Sequence, residues 1–409
     1  MKNTTLQDNK SYSQKNNYLI ILILGFLSAL GPFSIDMYLP GFNAIALDFK
    51  TNISTVGYSL TAYFIGISTG QIIFGPLLDR YGRKKPLLFG LSLYFLATIG
   101  CFVAPNINVF IGMRLLSALG GCVGMVASSA IVRDLFPAKE IARVFSILLL
   151  VMGVAPILAP TLGGFITSNF GWRYMFALLI IISTLMFLSV SLFLPESKVA
   201  DPSISLKLKN ILSEYIIVFK NKQFIIYALA VAANSAGLFA YISGSPFVYL
   251  KLFGFSEKNY GLIFGMNAMG LIVGSQINAF LLKRYERKKI VLMASIAQTI
   301  TAITLLSTNV LGIIPKIGVL ALIFLYLFWY GFIGPISSSF ALEPFKKNSG
   351  SASALLGSMQ MISGALASGL VSYLQNGTIL PVVFVIAICA IIILAMVNIA
   401  KLTLKLEDI

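Results

Sequence analysis

Gly75-Pro76-Leu77-Leu78-Asp79-Arg80-Tyr81-Gly82-Arg83-Lys84-Lys85 is a short polar stretch held between two long apolar runs, at 53–78 and 86–104. Either run can cross a bilayer as a helix, which takes about 20 apolar residues. The stretch therefore reads as a tight turn between two membrane helices, and its residue types suit that place. Gly75 lets helices approach closely, and Asp79 can accept from the N-terminus of a neighbouring helix. Arg80, Arg83, Lys84 and Lys85 hold the turn on the cytoplasmic side. With Gly82 these residues form a candidate gating loop.

The rest of the composition agrees. With 409 residues, 58% of them hydrophobic and only 11% charged, the chain has the make-up of a polytopic membrane protein and not of a soluble domain. No Gly-x-x-x-x-Gly-Lys-Ser/Thr is present, so any pumping draws on an ion gradient or a partner. The net charge of +16 is an address and not a nucleic-acid footprint. About 24 of the Lys and Arg fall on one side of the spans and about five on the other, the positive-inside bias, with both termini in the cytoplasm. The apolar run that follows the polar first residues is too long for a signal-peptide core and reads as an uncleaved first helix. Cys101, Cys122 and Cys389 lie in apolar runs, with neither disulfide nor metal spacing.

Further apolar runs bring the total to twelve spans, near 18–39, 53–78, 86–104, 107–131, 141–168, 173–194, 223–249, 259–282, 289–309, 315–339, 350–374 and 379–400. The longest polar interval, 195–222, divides them six and six, and 205–219 carries apolar residues at helical spacing, suited to the membrane surface. The expected organisation is a cytoplasmic tail over 1–17, a six-helix bundle over 18–197, a cytoplasmic linker over 198–222, a second bundle over 223–401 and a tail over 402–409. A shift of 204 residues sets Gly57, Gly66, Gly70, Arg80, Tyr81, Arg83, Lys84 and Lys85 on Gly261, Gly270, Gly274, Arg284, Tyr285, Arg287, Lys288 and Lys289. The second half is a copy of the first. In it Lys283 replaces Asp79 and Glu286 replaces Gly82, so the second loop has lost its acid.

Charge inside a bilayer is costly, at least ~2.5 kcal/mol for Asp or Arg at a helix centre, so charged residues left in the spans are functional candidates. Only Asp36 and Arg114 remain once loops and tails are assigned. Asp36 lies late in the first span, where Pro40 deprives its carbonyl of the usual helical amide and Gly31-Pro32 disturbs the preceding turn. Interrupted helices bearing a carboxylate are one way transporters hold a coupling ion, and apolar surroundings disfavour the charged form, so Asp36 is a candidate proton carrier. The competing reading is a helix-end carboxylate in water. Arg114 lies at a similar depth, where each can influence the other's charge, or else it is a structural arginine serving helix-end carbonyls. No histidine exists, which excludes a histidine relay.

The loop pattern resembles the signature of the major facilitator superfamily of secondary transporters, which implies an all-α integral membrane protein of twelve helices in two six-helix pseudo-repeats, with substrate bound between the halves. Arg114-Leu-Leu-Ser-Ala-Leu-Gly120 resembles the family's fourth-helix signature, implicated in proton coupling. Gly153, Pro156, Pro160, Gly163 and Gly164 put small residues and prolines where a helix must bend and pack closely, and their spacing resembles the superfamily's antiporter signature. Together with Ser34-Ile-Asp36-Met-Tyr-Leu-Pro40, Arg133-Asp134 and Gly171-Trp172-Arg173, the likeness narrows to the Bcr/CflA branch of bicyclomycin and chloramphenicol resistance exporters. That resemblance implies a drug:proton antiporter of the bacterial inner membrane. The residues alone stop at a proton-coupled secondary transporter.

An uncharged cavity with a few amides and aromatics suits neutral amphiphiles, with Tyr38, Tyr63, Gln71, Asn234, Tyr241, Asn267, Trp329 and Gln360 as candidate lining. Each is also of a type that packs or bonds between helices. The expected partners are a small-molecule substrate, protons and membrane lipid; no nucleic acid and no cofactor beyond the proton gradient are expected, and the chain is expected to act as a monomer. Two alternatives stand beside this reading: a proton symporter importing a metabolite, and a sensor or membrane enzyme without transport. One carboxylate and one arginine are too few for an enzyme.

Overall fold

The computed structural model describes residues 14–203, 215–345 and 349–403. The described backbone is helical, with no strand, as befits segments that must satisfy every amide and carbonyl internally in lipid. Twelve of its helices are long and apolar enough to cross a membrane. They are α1 (Gln14–Asp36), α2 (Ile53–Arg80), α3 (Lys84–Phe102), α4 (Ile107–Leu135), α5 (Ala138–Phe170), α6 (Arg173–Phe193), α7 (Lys222–Pro246), α8 (Glu257–Leu281), α9 (Arg287–Val310), α10 (Lys316–Leu342), α11 (Ser349–Tyr373) and α12 (Leu380–Thr403). Several starts are fixed by a capping side chain that accepts an otherwise free amide, as Asn52 does from Thr55 at 2.7 Å and Asn106 from Val109 at 3.0 Å.

The first span differs from its expected form. Its path does not stop near residue 39; a 3₁₀ turn (Leu39–Gly41) and a short helix (Phe42–Asp48) carry it on to Asp48. Pro40 has no amide for the α ladder, so the chain tightens there, with the Gly41 amide donating to the Tyr38 carbonyl at 3.0 Å. By contrast α1 runs through Pro32, and α5 runs through Pro156 and Pro160, without a break in either helix. The expected surface helix over 205–219 falls largely outside the described residues.

Helices α1–α6 pack chiefly on one another, as do α7–α12, and the two groups meet along two helix pairs, α2 on α11 and α5 on α8. Small residues make the approach possible. A Cβ on Gly57 would strike the Ser372 hydroxyl, and one on Gly261 would lie 2.6 Å from the Pro160 carbonyl oxygen. Thr61 donates to Ser368 at 3.1 Å, and the hydroxyls of Ser68 and Ser358 lie 2.8 Å apart. These residues run from the end opposite the 79–85 loop to beyond the middle of α2. Nearer the loop the seam loosens: a Cβ on Gly75 or on Gly350 would meet nothing within 4 Å. Among the described residues, the close contacts between the halves thus lie from the far end to beyond the middle of α2.

This corrects one expectation. Gly75 was expected to let helices approach closely; among the described residues a Cβ on it would meet nothing within 4 Å, so no close approach is seen there in this conformation.

Candidate functional site

Asp36 is the last residue of α1 and only 4% exposed, which rules out the reading of a carboxylate in water. Its Oδ1 is buried and accepts no hydrogen bond. The surrounding geometry places it at the seam. On the next residue, the Met37 carbonyl lies directly against Gly163 of α5, and Gly164 lies against the Glu257 carbonyl at the start of α8, so the glycine pair is wedged between the end of α1 and the second half. The Leu39–Gly41 turn itself touches α7 and α8. An ionised carboxylate with an unpartnered oxygen is more expensive in such a place than a protonated one.

Arg114 is 1% exposed, on α4. Among the described residues it forms no ion pair with Asp36. Its Nη2 donates to the Ser34 carbonyl at 2.9 Å, and its guanidinium lies 4.2 Å from the ring centre of Tyr38 and 4.1 Å from that of Tyr63. Ring faces are negative, so two of them can balance a cation where no acid is present. The expected influence of Arg114 on Asp36 therefore has no direct contact behind it. The competing reading, an arginine serving a helix-end carbonyl, matches its observed bond.

The same geometry reassigns two candidate lining residues. Tyr38 and Tyr63 are each 1% exposed and flank Arg114, with the Tyr38 hydroxyl 3.2 Å from Ser59. Tyr241 and Asn267 are spent within the second half: Asn267 donates to the hydroxyls of Tyr241 and Tyr249, both at 3.1 Å. Trp329 packs against Phe328 and Phe332. Of the other three candidates, Gln71 lies at the seam, while Asn234 and Gln360 bond within the second half. Gln71 has a buried oxygen without a partner and abuts Gly357 across the halves. Asn234 accepts from Gln298 at 3.3 Å, and Gln360 accepts from Ser235 at 3.2 Å, forming a neutral amide cluster on the second-half side.

At the basic end Arg83 is the centre. It donates to Asp134 from Nε at 2.7 Å and to Asp79 from Nη1 at 2.9 Å, while Lys198 reaches Asp79 at 2.7 Å. Burial alone would lower the Arg83 pKa, but the bond and charge of Asp134, then of Asp79, outweigh it and hold the guanidinium above its ordinary value. Gly82 has φ +84, and a Cβ there would also press on Glu196 and the Lys198 carbonyl. The Glu196 carboxylate accepts from the amides of Arg83 at 2.7 Å and Lys84 at 3.1 Å, and the Asp201 amide donates to the Arg80 carbonyl at 2.9 Å. Asp79 was expected to make an inter-helix contact at the N-terminus of a neighbouring helix; its observed partners are Arg83, just before α3, and Lys198.

Glu196 and Lys198 carry no sequence signal, being ordinary charges in a loop. A cavity of about 410 Å³ opens nearby, between the starts of α1 and α3 and the end of α6, with Lys84, Leu192 and Phe193 in its wall, away from both Asp36 and the seam. In the second half Arg287, the counterpart of Arg83, pairs with Glu343 at 3.2 Å in a much more exposed setting. At the far end Trp172 and Arg173 both bond to Asp48, and Arg173 also donates to the carbonyls of Phe102 and Ala104, tying the short helix to α3 and α6.

Two six-helix groups meeting along a seam of small residues are the arrangement of a multi-pass transporter and not of an enzyme. The sequence profile of the Major Facilitator Superfamily matches residues 21–368, and the chain belongs to that superfamily of small-molecule transporters. It is 35% identical over 385 residues to the "Uncharacterized MFS-type transporter YdgK" of Bacillus subtilis (strain 168), covering 92% of this chain and 94% of that one. It is 30% identical over 388 residues to a "Bicyclomycin resistance protein homolog" of Haemophilus influenzae, covering 93% and 95%. Against the "Chloramphenicol resistance protein" of Pseudomonas aeruginosa the identity is 26% over 380 residues, covering 92% and 89%. Among solved structures, a D-xylose-proton symporter superposes with a TM-score of 0.74 at 17% identity over 94% of this chain and 96% of that one, a likeness of fold alone.

Proposed function

We propose that this chain exports small, uncharged amphiphilic compounds in exchange for protons by alternating access, from the bacterial inner membrane and with both termini in the cytoplasm. The observation that carries the reading is Asp36, a buried carboxylate with an unpartnered oxygen, set where the end of α1, the Gly163-Gly164 pair and the second half meet. The printed names of the relatives, bicyclomycin and chloramphenicol resistance proteins, support export of drugs of that kind. A neutral substrate is favoured by the second half, whose buried polar side chains are hydroxyls and amides such as Asn234 and Gln298, with no charged residue among the described buried ones.

In this scheme the conformation sealed at the far end is the inward-open one. Asp36 is deprotonated when drug enters from the basic end; the halves rock, drug leaves, and a proton arriving from outside neutralises Asp36 for the return. Drug and proton must differ in affinity between the two states, or neither shifts the other. Arg114, held by Ser34, Tyr38 and Tyr63, fixes the last turn of α1 in place. The loop from Gly75 to Lys84 closes the basic end when the halves meet there.

The test is proton flux in inside-out vesicles with an acidic interior, challenged with neutral and cationic drugs. A neutral drug is expected to dissipate the gradient with the native protein and not with Asp36→Asn. Flux of a metabolite together with protons in one direction, with no response to drugs, would replace the exporter by a symporter.

A further inference from the structure

Three spans of the first half have an end at one place. Tyr18–Asp48 and Lys84–Phe102 begin there and Arg173–Phe193 ends there, so the cavity of about 410 Å³ between them lies at the level where hydrocarbon gives way to water. Six of its seven wall residues are apolar, among them Leu19, Leu192 and Phe193, and the seventh is Lys84. Those three apolar side chains are themselves exposed, which opens the cavity at the surface of the bundle.

Lys84 brings a charge to this wall that no acid nearby answers. Its Nζ donates to the Ser191 carbonyl at 2.8 Å, in the last turn of α6, which uses one of three ammonium protons. Among the described residues it forms no ion pair, because the neighbouring carboxylates are spent elsewhere. Glu196 accepts from the backbone amides of Arg83 and Lys84, Asp79 is shared by Arg83 and Lys198, and Asp134 is held by Arg83 and Ser197. Lys85, exposed on the next residue, adds a second cation. An apolar slot with a cationic rim at the membrane boundary matches an amphiphile with an anionic head, and basic pockets between membrane helices take such heads. We propose that this cavity holds one anionic phospholipid, its phosphate accepting from Lys84 and its chains lying along Leu192 and Phe193.

The site is independent of drug export and of proton coupling. Lys84 belongs to the 79–85 loop, and Pro195 leads directly into Glu196 and Lys198, which bond to that loop. A lipid seated between them therefore braces the loop against the start of the linker. The competing account is a lysine that serves only the last carbonyls of α6, which needs a single donor and gives no preference among lipids.

The test is native mass spectrometry of the full-length protein in a neutral detergent, titrated with dioleoyl phosphatidylglycerol or with dioleoyl phosphatidylcholine. One molecule of phosphatidylglycerol is expected to bind in preference to phosphatidylcholine. Lys84→Gln is expected to lose about fivefold in affinity for phosphatidylglycerol and to leave phosphatidylcholine unchanged, while Lys84→Arg keeps the preference. Lys283→Gln, which removes an exposed charge from the second loop, is expected to change neither. Leu19→Trp crowds the cavity, keeps every charge and is expected to weaken both lipids; it decides the question alone should Lys84→Gln not accumulate in the membrane. Equal losses in Lys84→Gln and Lys283→Gln mean diffuse attraction and overturn the site, as does displacement of the lipid by inorganic phosphate alone. Binding that appears only once residues 2–13 are deleted gives the cavity to the chain's own first segment and also overturns it. If Lys84→Gln lowers the melting temperature and leaves the lipid preference in place, the lysine serves α6 alone and the inference falls.

Discussion

Arg114 donates to the carbonyl oxygen of Ser34 at 2.9 Å, two residues short of the carboxylate that charge alone would have chosen for it. The rings of Tyr38 and Tyr63 complete its surroundings. A desolvated cation over an aromatic face is worth ~2 kcal/mol, and a planar guanidinium can lie flat between two faces where an ammonium cannot. Arg114→Lys is therefore expected to lose about tenfold or more in transport. Tyr63→Phe, which keeps the face, should be near neutral, while Tyr63→Leu should cost about 1–2 kcal/mol in thermal unfolding of the purified protein.

The antiporter-like run on α5 divides into tight and loose positions. Gly163 and Gly164 face the backbone carbonyls of Met37 and Glu257, which cannot swing aside, whereas a Cβ on Gly153 would lie an ordinary 4.0 Å from Ile272. Gly163→Ala and Gly164→Ala should each destabilise by about 1–3 kcal/mol, the usual cost of overpacking. Gly153→Ala should be neutral or slightly stabilising, as should Gly112→Ala, where a Cβ meets nothing within 4 Å. Thermal midpoints of the four variants, side by side, check the division.

Gly75 continues the stripe of α2 that carries Gly57, Thr61, Ser68 and Gln71, all of which touch or bond to α11. Residues at this spacing share one helix face, so Gly75 meets α11 only when the basic end closes. Gly75→Val is expected to leave thermal stability within about 0.5 kcal/mol of native yet to arrest transport, with the basic end locked open. Spin-label distances between the basic ends of α2 and α11 give the check: they should stay long in the presence of drug in the variant and shorten in the native protein.

Arg83 and Asp134 form the more buried of the two corresponding ion pairs, with side chains 8% and 22% exposed against 44% and 49% for Arg287 and Glu343. Screening by water makes the exposed pair worth at most about 1 kcal/mol. Removing the Asp134 charge takes from the shielded Arg83 one of its two carboxylate partners, leaving only Asp79, and should cost about 1.5–3 kcal/mol. Asp134→Asn is therefore expected to lower the unfolding midpoint clearly and Glu343→Gln hardly at all.

The architecture was legible in the sequence because the bilayer enforces it. Twelve apolar runs of spanning length, a one-sided distribution of Lys and Arg, and a repeat at 204 residues follow from requirements that act on each segment separately. Asp36 and Arg114 were legible for the same reason: charge is scarce in lipid, so its position is conspicuous. Which groups they touch was not. Asp36 and Arg114 are similar in depth, yet Arg114 is turned toward Ser34, Tyr38 and Tyr63, and Asp36 lies where the end of α1 meets Gly163 and the turn that touches the second half. Direction about a helix axis is settled by packing against neighbours far away in the chain, and tyrosines, serines and glycines are too common in membrane helices to advertise the one that matters. The loose end of the seam follows the same rule. Gly75 and Gly163 look alike in the sequence, and only the way the halves meet leaves one in open space and presses the other against a carbonyl.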